Sequence, residues 1–297
     1  MAQNLAGIHV ALIGGDAREL VLIKELIRLG AEVKTVGFPS LPEIQGCILT
    51  GDPVEAVRGA QALILPVPGV DAQGNIRAVL TDQTFHLGEE WVREVAAGTP
   101  VLVGVARTIL KEVATRYGWR LIETAEMDEM AILNSVPTAE GAIMLAIQEM
   151  PITLHGSQAF VLGLGRTGLT LAYMLAGIGA KVTVVDRGAA DRARAVALGW
   201  RAISFEDLPR YISEAQVVFN TVPALVLTPA VLSHTSPECL IIDLAAAPGG
   251  TDFAAAQRLG RKALLAPGLP GKVAPKTAGE ILARLYPRLI LESLGRP

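Results

Sequence analysis

Only two cysteines, Cys47 and Cys239, occur in 297 residues; they lie far apart in apolar surroundings, with no second Cys or His at metal-ligand spacing. A disulfide framework and a zinc module are set aside, no metal site is expected, and both thiols read as inert core groups. Basic runs are missing too. The 26 Lys and Arg are scattered among 29 Asp and Glu for a net charge of -3, so nothing concentrates the positive field that a nucleic-acid partner requires. No apolar run approaches the roughly 20 residues of a membrane span, and no Lys or Arg precedes an apolar stretch of signal-peptide length at the N-terminus. These absences point to a cytoplasmic protein without membrane or nucleic-acid partners.

What the chain does have is 51% hydrophobic residues, 30 Gly and 18 Pro, a mixture suited to an α/β protein with many tight turns. Its length suits two domains. Apolar runs at 8–13, 32–37, 62–66, 100–105 and 120–123 read as strands, with a helix after Gly14-Gly15-Asp16 and another at 107–117. Strands alternating with helices imply a parallel sheet. A longer helix is expected from near Pro137, because proline at the first helical turn costs no hydrogen bond, and it reads as a connector over 135–150. The pattern then restarts, with strands at 159–162, 181–185, 217–220, 240–244 and 263–266. The expected fold is α/β: two doubly wound, Rossmann-like domains with parallel sheets and a cleft between them. They comprise a substrate domain over 1–134, with a last helix at 276–297 packing back on it, and a dinucleotide-binding domain over 151–275.

The strongest motif is Gly163-Leu164-Gly165-Arg166-Thr167-Gly168, a G-x-G-x-x-G pattern directly after an apolar strand and directly before an apolar helix. Gly163 allows the tight turn, Gly165 clears space for a pyrophosphate, and Gly168 lets the helix pack on the strand. The helix N-terminus then offers backbone N–H groups and a partial positive charge to phosphate. Asp186, 18 residues after Gly168, stands where a carboxylate accepts the ribose hydroxyls of NAD, but Arg187 beside it suits the 2'-phosphate of NADP. The pair leaves both cofactors open. Asn220, Thr221 and Pro223 after one strand, and Asp243, Leu244 and Ala245 after the next, stand at the carboxyl edge where a dinucleotide lies.

Further candidates surround this core. Asp16 and Arg18 follow the first strand, as ligand groups or as a helix cap with a solvated arginine. Ser135, Thr138 and Glu140 lie near the connector's start, and Lys276 and Thr277 follow the last strand. Hydroxyls there can bond substrate carboxylates, and a desolvated Lys276 can serve as a base. His155 is a candidate for proton transfer.

Several stretches together are similar to the A subunits of the dipicolinate synthases of spore-forming bacteria: Ile13-Gly14-Gly15-Asp16-Ala17-Arg18, Asn134-Ser135 with Pro137-Thr138 and Glu140-Gly141, and His155-Gly156-Ser157-Gln158. The glycine fingerprint, Pro248-Gly249-Gly250-Thr251-Asp252-Phe253, and Ala266-Pro267-Gly268-Leu269-Pro270-Gly271 with Ala274-Pro275-Lys276-Thr277-Ala278-Gly279 complete the set. The arrangement also resembles D-2-hydroxyacid dehydrogenases, but no Arg follows the 240–244 strand, and Lys276 stands where those enzymes carry His. The first resemblance implies formation of dipicolinate from the cyclic dicarboxylate intermediate of lysine biosynthesis, with NADP as cofactor, in the mother cell of a sporulating bacterium. It further implies that the partner is a flavoprotein B subunit, within a homo- or hetero-oligomer. The alternatives are an NAD-linked hydroxyacid dehydrogenase using Lys276, or a non-catalytic dinucleotide sensor.

Overall fold

The computed structural model describes residues 3–296. The described residues divide into two units, one formed by residues 3–131 together with 274–296 and the other by residues 132–273. The helix Pro275–Ser293 therefore belongs to the first unit.

In the first unit, strands β1 (His9–Ile13), β2 (Glu32–Val36), β3 (Ile48–Thr50), β4 (Ala62–Ile64), β7 (Pro100–Val103) and β8 (Arg120–Glu123) form a parallel sheet in the order β3-β2-β1-β4-β7-β8. An antiparallel hairpin, β5 (Asn75–Ala78) and β6 (Gln83–His86), is joined to the loop after β1 through Gly15, whose N–H reaches Arg77 O and whose carbonyl accepts Val79 N–H. The strand order reverses direction between β1 and β4, which makes their carboxyl ends the switch point of the sheet. The helix Ala17–Arg28 starts on a capping box, in which Asp16 accepts the Arg18 N–H and Glu19 reaches back to the Asp16 N–H. The terminal helix crosses this one very closely. A Cβ on Gly279 would sit 2.6 Å from the Arg18 carbonyl oxygen and 2.7 Å from the Val21 Cβ, so only glycine fits.

In the second unit, β9 (Gln158–Leu162), β10 (Lys181–Val185), β11 (Arg201–Ile203), β12 (Val217–Asn220), β13 (Leu240–Asp243) and β14 (Lys262–Leu265) form a parallel sheet in the order β11-β10-β9-β12-β13-β14. This is the order of the dinucleotide-binding fold. Four of five residues in β9 and in β10 are buried, as a strand covered on both faces requires. Leu171, Ala172 and Leu175 of the helix Arg166–Ile178 pack in the core beside Val161 and Val184.

The expected α/β class with two parallel sheets is what the chain adopts. The short edge strands β3 and β11 and the β5–β6 hairpin were not anticipated. The long helix runs Asp128–Glu149, so it begins well before Pro137 and carries that proline inside. Proline there removes the N–H that would bond the carbonyl of Leu133. The carbonyls on either side are taken by side chains, Ile132 by the Ser135 hydroxyl (2.6 Å) and Asn134 by the Thr138 hydroxyl (2.7 Å). By length and composition alone this helix is long and apolar enough to cross a bilayer, a test that core helices also pass. Its Ala139, Ala142 and Ala146 are fully buried in the second unit's core.

Of the two thiols, Cys239 is buried and burial pushes its pKa up to about 12. Cys47 is only half-buried, near the Thr35 hydroxyl, and so is not the core group expected.

Candidate functional site

The glycine fingerprint forms the loop at the carboxyl end of β9. Gly163 has φ +88°, and a Cβ there would meet the Thr221 hydroxyl at 2.7 Å and Val222 at 2.9 Å. Gly168 lies so close beneath that its Cβ would fall 1.9 Å from the Gly163 carbonyl oxygen. Gly165 differs from both. It caps the helix Arg166–Ile178 in an ordinary extended conformation, with φ -75°, and a Cβ on it would meet nothing within 4 Å. Its freedom from a side chain is not required by packing within the chain, and the space it leaves lies at a helix N-terminus, where the first N–H groups have no intrahelical partner. That geometry fits a diphosphate.

Asp186, at the end of β10, is 9% exposed and binds two backbone amides, Leu164 N–H to Oδ2 and Gly188 N–H to Oδ1, both at 2.7 Å. One carboxylate thus ties the glycine loop to the turn after β10. Its remaining lone pairs are open to ribose hydroxyls. Arg187 is exposed, and its carbonyl together with that of Asp186 receives Arg192 Nη1 at 2.8 Å. Arg192, which sequence reasoning passed over, brings a second cation to this corner. Among the loop residues, Arg166 and Thr167 open the helix, Leu164 is buried, and Pro223 is exposed. Thr221 donates to Leu162 O (2.9 Å) and Gly163 O (3.4 Å), buttressing the glycine turn from below.

Asn220 and Asp243 correct the sequence reading, which had them bind a cofactor. Both are fully buried. Asp243 Oδ1 accepts from Asn220 Nδ2 (2.9 Å) and Ala245 N (3.1 Å), and Oδ2 from Gly250 N (2.8 Å) and the Thr251 hydroxyl (2.6 Å). Four donors fill a carboxylate's capacity. Asn220 spends its amide on Val222 O and Asp243 while its oxygen takes Val222 N–H. Neither retains a group for a ligand. Leu244 N–H is held by Asn220 O at 2.8 Å, and Ala245 is buried beside it.

Other candidates are dispersed. His155 precedes β9, at the amino edge of the sheet, whereas the glycine loop follows β9 at the carboxyl edge; its Nδ1 lies 2.9 Å from Ile178 O. It fastens the turn before β10, and the proton-transfer role loses its geometric basis. Ser135 is buried inside the long helix and bonds the Thr170 hydroxyl at 2.7 Å, joining two helices, and Thr138 bonds its own helix. Neither stands at a helix start. Glu140 is exposed on the same helix.

In the first unit, Arg18 is 8% exposed rather than solvated, and its Nε and Nη2 grip both oxygens of Asp16 at 2.7–3.2 Å. Burial raises the Asp16 pKa, but the bonds and charge of Arg18 outweigh it and hold the carboxyl below its usual range. Glu19, a residue the motif search missed, is wholly buried. Its Oε2 accepts Asp16 N–H (2.8 Å) and its Oε1 accepts Val67 N–H (3.3 Å), linking the loops after β1 and β4. Burial, then the charge of Asp16, pushes its pKa up to about 7. Lys276 and Thr277 are exposed in the first turn of the terminal helix, one turn before the Gly279 crossing over Arg18.

Residues 138–238 match the family model described as D-isomer specific 2-hydroxyacid dehydrogenase, NAD binding domain, and residues 9–125 match the model of the N-terminal domain of the dipicolinate synthase A subunits. Fold and glycine loop define a protein of the nicotinamide-dinucleotide-dependent oxidoreductase class. A transhydrogenase from Sinorhizobium meliloti shares the fold at a TM-score of 0.71 and 16% identity, over 96% of this chain and 95% of that one. The chain is 40% identical over 289 residues to the dipicolinate synthase A subunit of Bacillus subtilis, covering 97% of each. It superposes on the crystal structure of the Bacillus halodurans counterpart with a TM-score of 0.93 and 39% identity, over 97% of this chain and 99% of the other. For dipicolinate synthase, A chain, from Bacillus subtilis, the values are 0.91 and 39%, over 99% of both. The chain belongs to the family of dipicolinate synthase A subunits.

Proposed function

We propose that this chain oxidises the cyclic dihydrodipicolinate or 4-hydroxytetrahydrodipicolinate intermediate of lysine biosynthesis to dipicolinate, pyridine-2,6-dicarboxylate, with NADP as the coenzyme. The observation that carries the reading is Gly165, an open cradle at a helix N-terminus that the fold itself does not require. The likeness to a protein named for making dipicolinate, over 97% of the chain, supports dipicolinate as the product, and the cyclic dicarboxylate is our reading of its precursor.

Gly163, Gly165 and the first turn of the helix Arg166–Ile178 would hold the diphosphate, and Asp186, Arg187 and Arg192 the adenosine ribose with its phosphate. A bound nicotinamide supplies the acceptor for the hydride that leaves the ring. From the 4-hydroxy form water leaves first to give dihydrodipicolinate, which then loses the hydride and one proton; the chain's own part is to orient this dianionic ring and accept that proton, since aromaticity favours the product. Arg18, Lys276 and Thr277, all in the first unit, offer two cations and a hydroxyl for the two carboxylates, with Asp16 holding the Arg18 guanidinium in place. Ser135 and Thr138 already spend their hydroxyls within the second unit, so the burden falls on Arg18 and Lys276.

The Bacillus subtilis relative is named as one part of a larger enzyme, and we extend this to a partner for the present chain, a flavoprotein B subunit. The setting is the cytoplasm of a sporulating mother cell. NAD remains a second reading because Asp186 presents a carboxylate at the ribose corner. Incubating the chain with the cyclic intermediate and each coenzyme, while following reduced nicotinamide absorbance and dipicolinate by chromatography, should give both products together. A flat trace with both coenzymes, with or without the B subunit, would leave a non-catalytic dinucleotide sensor. Unchanged turnover in Lys276→Ala would remove that residue from the site.

A further inference from the structure

We propose that Asp243 is a positioning residue whose buried carboxylate sets the conformation of residues 244–251, and thereby the wall against which the nicotinamide half of the dinucleotide rests. The inference builds on the reading of the second unit as a dinucleotide site.

Three observations converge on it. The carboxylate gathers its donors from three places: the end of β12 (Asn220), the second residue after β13 (Ala245), and the far end of the loop (Gly250 and Thr251). The loop therefore leaves Asp243 and returns to it. Second, the Pro248-Gly249-Gly250-Thr251 motif is shaped for that return. A Cβ on Gly249, which has φ +86°, would lie 2.9 Å from Asp243 Oδ2, and one on Gly250 would meet Ala224 O and Asn220 Nδ2 at 2.5 Å. Third, the same loop is stitched to the one after β12. Gly250 O accepts the N–H groups of both Val226 and Leu227 at 2.9 Å, and Asp252 N–H returns to Leu227 O at 3.1 Å.

Location gives the network its role. In this strand order a dinucleotide straddles the carboxyl edge at the switch between β9 and β12, one nucleotide over each half of the sheet. Asp186 and Arg187 mark the β10 side, so the loops after β12 and β13 face the other half. Asp243 has no lone pair left for a ligand and acts only through the backbone it holds. Thr251 contributes the shortest of its four bonds, and a hydroxyl can be removed there with little change in volume.

The test uses the full chain and calorimetric titration with four probes: NAD and NADP, and their counterparts lacking nicotinamide, ADP-ribose and 2'-phospho-ADP-ribose. For Thr251→Val, loss of a hydrogen bond to a carboxylate should weaken the coenzymes about tenfold while the shortened probes keep their affinity within about twofold. Thr251→Ser, which keeps the hydroxyl, should restore the parent values, and Thr251→Ala should repeat the Val result. Equal weakening of coenzymes and shortened probes, no weakening of either, or no recovery with Ser would overturn the proposal. So would a parent that binds coenzyme no more tightly than the shortened probe, even though the dinucleotide site would then stand. A parent that binds none of the four removes the site itself, and the proposal with it.

Discussion

Replacing Gly165 by Asp separates what the glycine loop does for the fold from what it does for a ligand. The residue occupies the N-cap of the helix Arg166–Ile178 with φ -75°, and its Cβ direction is open. An aspartate fits without strain, and at an N-cap it satisfies an orphan N–H and complements the helix dipole better than glycine does. The variant should melt at the parent temperature or about a degree higher, since a few tenths of a kcal/mol move Tm by no more than that in a chain of this size. Binding should respond in the opposite direction. A carboxylate about 5 Å from a diphosphate charge costs about 3 kcal/mol at an effective dielectric constant near 20, and it occupies the same N–H groups as an internal anion. That corresponds to a Kd raised by more than about a hundredfold. Calorimetric titration with NADP and NAD, alongside a thermal melt of the same sample, reads both effects. Coenzyme affinity within about twofold of the parent would show that no diphosphate lies against Gly165, and the argument from the open cradle would fail.

Four further outcomes follow from the packing and charge described above. Gly279→Ala forces a methyl to 2.6 Å from a backbone oxygen, and should cost at least about 1–3 kcal/mol, seen as a lowered urea midpoint. Glu19 holds its proton up to about pH 7 when folded against an ordinary 4.5, so the folded chain binds more protons than the unfolded one in that window. Stability should therefore fall as pH rises from about 5 to 7, by of the order of 3 kcal/mol, and level off above; Glu19→Gln should flatten that slope in paired unfolding curves. Arg187→Ala should weaken NADP about tenfold and leave NAD within about twofold, and equal effects on both would show that Arg187 does not meet the 2'-phosphate. Tyr286→Phe removes a buried hydroxyl that bonds Thr124 at 3.1 Å while Thr124 keeps Val103 O, and should lower Tm by about 2–4 °C for roughly 1 kcal/mol.

The parts of the molecule legible in the sequence were those whose information is local. Strand β9, the Gly163–Gly168 turn and the helix behind it are consecutive, so the motif and its strand–turn–helix context are read together from one short stretch. Strands β3 and β11 escaped notice because three residues at a sheet edge carry no period to read. The long helix was started too late at Pro137, because the hydroxyls of Ser135 and Thr138, read as candidate substrate ligands, instead cover the carbonyls beside the break. Asn220 and Asp243 were placed at the correct edge but given the wrong partners, since a carboxylate's saturation by Thr251 and Gly250 appears only once the loop closes. The Pro-Gly-Gly-Thr run was the available signal. Glu19 was also readable, as the acidic member of a capping box three residues after Asp16.

The first unit is not contiguous in the chain: its final helix, with Ile281, Leu285, Tyr286 and Ile290 among its buried residues, comes after the whole second unit. On the ribosome this sets an order of events. The inserted unit can complete its sheet while the first still exposes the apolar face of the helix Ala17–Arg28, which finds its cover only once residues 275–293 have been made. A nascent chain stalled before residue 275 should thus carry one finished body and one that still recruits chaperones.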